Sequence, residues 1–157
     1  MALPLGALAQ TQASTQSEAL WRAGVLSDET QAILSQLAAG SSGTGGSDEI
    51  NISQSGGGNR IALTGSGTAN RFSINQNGDG NQLSLELFGD RNSFGFEQNG
   101  SGNVLDLRNV RASNERLDIS QQGSGNRLTS DGYPLATGVP VRIEQTGGMQ
   151  IQIMNVR

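Results

Sequence analysis

The chain has 157 residues, about one domain's length, with 34% hydrophobic residues, 4% aromatic residues and 23 glycines; that is lean for an ordinary globular core and fits either disorder or a repetitive β-structure. It contains no cysteine and no histidine, which excludes disulfides and thiolate chemistry and removes the commonest general base and metal ligand. The basic residues are all Arg, and the formal charge of −4 is unevenly placed: residues 1–49 carry five acids and one Arg, whereas residues 50–157 carry nine of each, so the longer part lacks the basic surplus of a nucleic-acid binder and does little to repel copies of itself.

The first nine residues, "MALPLGALA", form a short apolar run. The small-x-small "ALA" before Gln10 reads as a signal-peptidase site, so residues 1–9 are expected to be the remnant of a secretory signal. The absence of cysteine is compatible with export. No stretch is long enough to span a bilayer as a helix.

Residues 10–39 read as helix-prone. Leu20, Trp21, Val25, Ile33, Leu34 and Leu37 fall at roughly helical spacing, and Ser27 before "DETQ" offers an N-cap with acids in the first turn. Such a short, isolated segment is expected to be helical only in part, or disordered. Residues 40–49 then form a Gly/Ser-rich linker around "GSSGTGGS".

From residue 50 to residue 157 a period takes over. Asn59, Asn70, Asn81, Asn92, Asn103 and Asn114 follow one another at intervals of 11, and Asn126 comes 12 after the last. Apolar pairs travel with them: Ile50/Ile52, Ile61/Leu63, Phe72/Ile74, Leu83/Leu85, Phe94/Phe96, Leu105/Leu107 and Leu117/Ile119. Glycine stands three residues before most of these asparagines. This is an internal repeat. Alternate halves carry Gln54, Gln76, Gln98 and Gln121 five residues before the Asn, and the other halves carry Gly65, Leu87 and Asn109 there. The full repeat is therefore 22 residues in two unequal halves, and Gln145 continues the Gln series.

Each half has the apolar-x-apolar alternation of a strand with one buried face. Asn70, Phe72, Ile74 and Gln76 share one parity; Asn81, Leu83, Leu85 and Leu87 share the other, and the switch falls across the glycine-rich "NGDG". Two strands can thus face each other across a thin core, and after 22 residues the chain returns to lie on its previous coil. The expected fold is all-β: a β-solenoid of about five coils, at 50–70, 71–92, 93–114, 115–138 and 139–157.

Stacking at roughly 4.8 Å aligns like residues on like. Gln54, Gln76, Gln98, Gln121 and Gln145 are expected to form one internal amide ladder, Asn59, Asn81, Asn103 and Asn126 a second, and Asn70, Asn92 and Asn114 a third. A primary amide suits this role because it donates to one neighbour and accepts from the other. Ile52, Leu63, Phe72, Ile74, Leu83, Leu85, Phe94, Phe96, Leu105, Leu107, Leu117 and Ile119 are the expected core. Phe72 and Phe94 are placed to stack. Glu86 and Arg108 are expected to pair on adjacent coils. Pro134 and Pro140 predict a looser arc in the fourth coil. Asp79 reads as a solvated turn residue and not as a calcium ligand, because the matching positions in later coils are Ser101 and Ser124. No cofactor, metal or catalytic cluster is expected.

The halves "NRFSINQNGDGN" and "NSFGFEQNGSGN" resemble the curlin repeat of bacterial curli fibres, Ser-x-hydrophobic-x-hydrophobic-x-Gln-x-Gly-x-x-Asn, with Asn in the Ser place. The resemblance covers residues 50–157. The even halves depart from it, having Gly65, Leu87, Asn109 and Gly132 where the pattern has its second Gln. The tail "VRIEQTGGMQIQIMNVR" is similar to the ending of the minor, nucleator-type subunit. The resemblance implies a secreted subunit of a functional-amyloid fibre on the surface of a Gram-negative-type bacterium, in adhesion and biofilm matrix. It also implies other curlin-type subunits and an outer-membrane secretion pore as partners. A competing expectation is a monomeric solenoid binding or adhesin module, capped by its N-terminal helix.

Overall fold

A computed structural model of the chain describes residues 22–23, 31–34, 46, 48–132 and 139–154. Each repeat half becomes a strand because its small polar residues alternate with apolar ones, and the burial alternates in step, as in Arg71–Asn77 with Phe72, Ile74 and Gln76 turned inward. Ten strands build five coils: β3 (Glu49–Ser55) and β4 (Arg60–Ser66), β5 (Arg71–Asn77) and β6 (Gln82–Phe88), β7 (Ser93–Asn99) and β8 (Val104–Arg111), β9 (Arg116–Gln122) and β10 (Arg127–Asp131), and β11 (Val141–Thr146) and β12 (Gln150–Met154). They are preceded by β1 (Arg22–Ala23) and β2 (Gln31–Leu34).

The strands sort into two parallel sheets, ordered β1-β3-β5-β7-β9-β11 and β12-β10-β8-β6-β4-β2. The fold is a β-solenoid. The inward side chains of both sheets meet in one continuous core that includes every expected core residue. Leu87, Val110, Ala112 and Leu128 join it. Phe72 and Phe94 meet edge to face, with ring centroids 5.9 Å apart.

Stacking is in register at 22 residues from β3 to β7, with Phe72 beside Phe94 and Gln76 beside Gln98. The register then gains a residue inside β8: Leu85 pairs Leu107, but Leu87 pairs Val110. Asn109, at φ +52°, is the bulged residue. Asn109 therefore does not occupy the Leu87 column, which passes to Val110. The expected Glu86–Arg108 pair gives way as well. The Glu86 carboxylate accepts from the Asn109 backbone N–H at 3.1 Å, and Arg108 pairs with Asp106 on its own strand at 2.6 Å.

The arcs are held close. At Gly78, φ is +107°, and an added Cβ would stand 2.1 Å from the Gly100 carbonyl oxygen of the next coil. Only glycine permits both the left-handed backbone and that approach.

The helix-prone reading of residues 10–39 is corrected where the chain is described. Arg22–Ala23 and Gln31–Leu34 are strands, paired in parallel with β3 and β4. A short helix is marginal alone, whereas the first coil offers two rows of unpaired backbone groups that a strand can use. The signal-like residues 1–9, Trp21, most of the linker, Pro134 and the last three residues lie outside the described residues.

Candidate functional site: amide ladders and the two end coils

The Gln residues end the odd strands and point into the core. Gln54 Nε2 donates to Gln76 Oε1 at 2.6 Å, Gln76 to Gln98 at 2.7 Å, Gln98 to Gln121 at 2.8 Å, and Gln121 to Gln145 at 2.7 Å. All five are buried. The second Nε2 hydrogen crosses to the other sheet: Gln76 donates to Arg60 O, Gln98 to Gln82 O, and Gln121 to Val104 O, at 3.2, 3.0 and 3.1 Å. Each amide thus ties coil to coil and sheet to sheet. Sequence reasoning missed the second tie, because the spacing shows columns but not what lies across the core.

The Asn residues sit where an arc enters a strand and work mainly on backbone. Asn59 Oδ1 accepts from the Asn81 backbone N–H, Asn81 from Asn103, and Asn103 from Asn126, at 3.0, 3.1 and 3.0 Å. Their Nδ2 groups reach the next arc: Asn59 donates to Gly78 O, Asn81 to Gly100 O, and Asn103 to Gly123 O, at 2.7, 2.8 and 2.9 Å. The last member is not an Asn. The Met149 backbone N–H donates to Asn126 Oδ1 at 3.0 Å.

The opposite arc carries the column Asp48, Asn70, Asn92 and Glu115. Asn70 N–H donates to Asp48 Oδ1 at 2.7 Å, Asn92 N–H to Asn70 Oδ1 at 3.1 Å, and Glu115 N–H to Asn92 Oδ1 at 3.0 Å. Asn114 is displaced from this column by the bulge at Asn109. It is exposed, with φ +59°, and its Oδ1 accepts from Arg91 Nε at 2.8 Å. Asp48 was missed, although it stands 22 residues before Asn70. Burial pushes its carboxyl above the ordinary aspartate range, against the hydrogen bonds from Asn70, and Asp90 adds a smaller push upward.

The turn acids cap the arc before them. Asp79 accepts from Gly57 N–H at 2.7 Å, and Asp90 from Thr68 N–H at 2.8 Å. Among the described residues no group of three or more acidic side chains gathers to hold a metal. A groove of about 460 Å³ lies open over Gly95 on the outer face and holds the Arg116–Asp118 ion pair.

The two ends of the stack differ. At the first coil Ile50 and Ile52 are buried. Yet Gln54 Oε1 is buried without a hydrogen-bond partner. At the last coil Val141, Ile143 and Ile151 are only half-buried, Val139, Met149 and Met154 are exposed, and β11 and β12 each lie at the end of their sheet. Gln145 has no further coil to donate to, and its Nε2 bonds Arg127 O and Met149 O, both at 3.0 Å.

These features define a parallel two-sheet solenoid with internal amide ladders and an open terminal coil. No family model matches the chain. No characterised protein and no solved structure matches it.

Proposed function

We propose that the chain is a structural, non-enzymatic subunit of an extracellular amyloid-type fibre, assembled head to tail by strand addition. The observation that carries this reading is the bare last coil. Its inward residues Val141, Ile143 and Ile151 are half-exposed beside two strand edges that no described residue pairs, the usual template for another chain. The contact joins unlike ends of the molecule, so it does not close and extends into a fibre. The curlin-like repeats support secretion through an outer-membrane pore, partnership with other curlin-type subunits, and a place in an adhesive matrix at the bacterial surface.

The test is an incubation at several protein concentrations, followed by dye binding and fibre diffraction. Concentration-dependent fibres with a meridional reflection near 4.8 Å are expected. A chain that stays monomeric by light scattering over days sinks the reading. The second reading, a monomeric binding module, draws on the pairing of β1 and β2 with the first coil, and that same monomer would favour it.

A further inference from the structure

The first coil's outer edge is the surface a second copy needs, and the chain itself covers part of it. β1 pairs two residues of β3, and β2 pairs four residues of β4. Both coil strands are seven residues long. Among the described residues, the strands that cover it are therefore shorter than the strands they cover.

It is also chemically incomplete. Gln76, Gln98, Gln121 and Gln145 each receive a Gln donor from the coil before them, whereas Gln54 Oε1 is buried and unpartnered. A buried acceptor in that state is a standing cost. The other end of the same molecule holds what is lacking. β11 and β12 supply six and five residues of strand, and Gln145 Nε2 can turn from Met149 O to a new acceptor.

We infer that the β1–β2 pair is a removable plug. It occupies the docking edge of the first coil, and assembly waits until the last coil of a second copy displaces it and completes the amide ladder at Gln54. This rests on the fibre reading above and adds its regulation: the N-terminal segment sets how readily the subunit joins. Displacement exchanges the two and four pairings of the described residues for strands of six and five residues, so plug release, not the exposed last coil, limits the onset of growth.

The full chain tests this with two opposed variants. Ile33 and Ala62 are register partners; neighbouring strands bring their Cα atoms to roughly 5 Å, within disulfide range. The chain has no other cysteine to interfere. Ile33→Cys with Ala62→Cys, oxidised, locks the plug. It is expected to abolish fibre growth, and reduction is expected to restore it in the same sample. Ala32→Pro with Ile33→Pro removes two consecutive amides, so whichever faces β4 is lost; the lag is expected to shorten at least threefold.

Wild-type fibres with unchanged kinetics in both variants overturn the plug and leave the fibre reading standing. Growth of the oxidised variant at the reduced rate overturns it as well. If neither wild type nor the proline variant forms fibres, seeded or not, the fibre reading fails and the plug goes with it.

Discussion

Leucine at position 98 tests the ladder where it is deepest. Gln98 accepts from Gln76 and donates to Gln121 and to Gln82 O. Leu has a similar volume, so little cavity opens. What is lost is hydrogen bonding: one Gln76 Nε2 hydrogen and the Gln121 Oε1 acceptor are left buried and unpartnered, and the part-buried Gln82 O loses its side-chain donor. At about 1–3 kcal/mol for each such atom, Gln98→Leu costs about 2–6 kcal/mol, a large share of the roughly 5–15 kcal/mol that holds a domain together. Gln76→Leu strands the Gln54 donor and the Gln98 acceptor and costs the same. The double variant strands only two ladder atoms as well, the Gln54 donor and the Gln121 acceptor. It should therefore cost about what either single does, far from the sum. Urea unfolding of the monomer, followed by circular dichroism, reads all three as midpoint shifts. Asn75→Ala, on the exposed face of β5, serves as the control and should stay within about 0.5 kcal/mol of wild type. Additive singles, or a Gln98→Leu midpoint equal to the control's, would refute the ladder as a connected chain of bonds.

Three further outcomes follow from the same geometry. Gly78→Ala, which forces a Cβ to within 2.1 Å of Gly100 O at φ +107°, should destabilise by about 2–6 kcal/mol from strain and overpacking together. Gly102→Ala at φ +65° meets nothing within 4 Å and should cost only about 1–2 kcal/mol, as urea midpoints will show. Ser130 is buried between Leu107 and Ile153, with an unpartnered hydroxyl; Ser130→Val should raise stability by about 1–3 kcal/mol, and a lower thermal midpoint counts against that. Asp48 titrates above its unfolded range, so it favours folding when protonated. That stability is full below the unfolded pKa and is lost as pH rises through the folded one. Asp48→Asn should therefore melt higher than wild type at neutral pH, with the gap closing as pH falls through the aspartate range; a gap that widens on acidification contradicts the assignment.

The repeat was legible because its two periods answer two constraints. Phe72, Ile74 and Gln76 had to share a parity to face one core, and the arc had to reset it for Leu83 and Leu85. Asn114 was misplaced because asparagine serves two purposes. It can be a buried ladder amide, as at Asn92, or a residue that tolerates left-handed backbone, as at Asn109 and Asn114, with φ +52° and +59°. Residue type cannot separate the two; only the pairing of Leu87 with Val110 does. Asp48 escaped for the converse reason: an acid heads a column of amides, so the pattern hid it while the arithmetic did not. The strands at Arg22–Ala23 and Gln31–Leu34 were read as helix because N-caps and helical spacing are local signals, whereas a free sheet edge is a partner no local signal reports.

A column of identical amides cannot be closed within one chain. Every interior Gln donates forward and accepts from behind, so one acceptor is left at the first coil and one donor at the last. Here the donor end folds back on Met149 O, while the acceptor end at Gln54 stays empty. The asymmetry gives the stack a direction and a register at once. A second copy that set its Gln145 one residue off the Gln54 column would miss the acceptor. It would also turn its apolar face away from Ile50 and Ile52, because side chains alternate with period two. The polar column and the hydrophobic face therefore exclude the same wrong alignments, so specificity in docking comes from the same pairing that holds the coils together within one molecule.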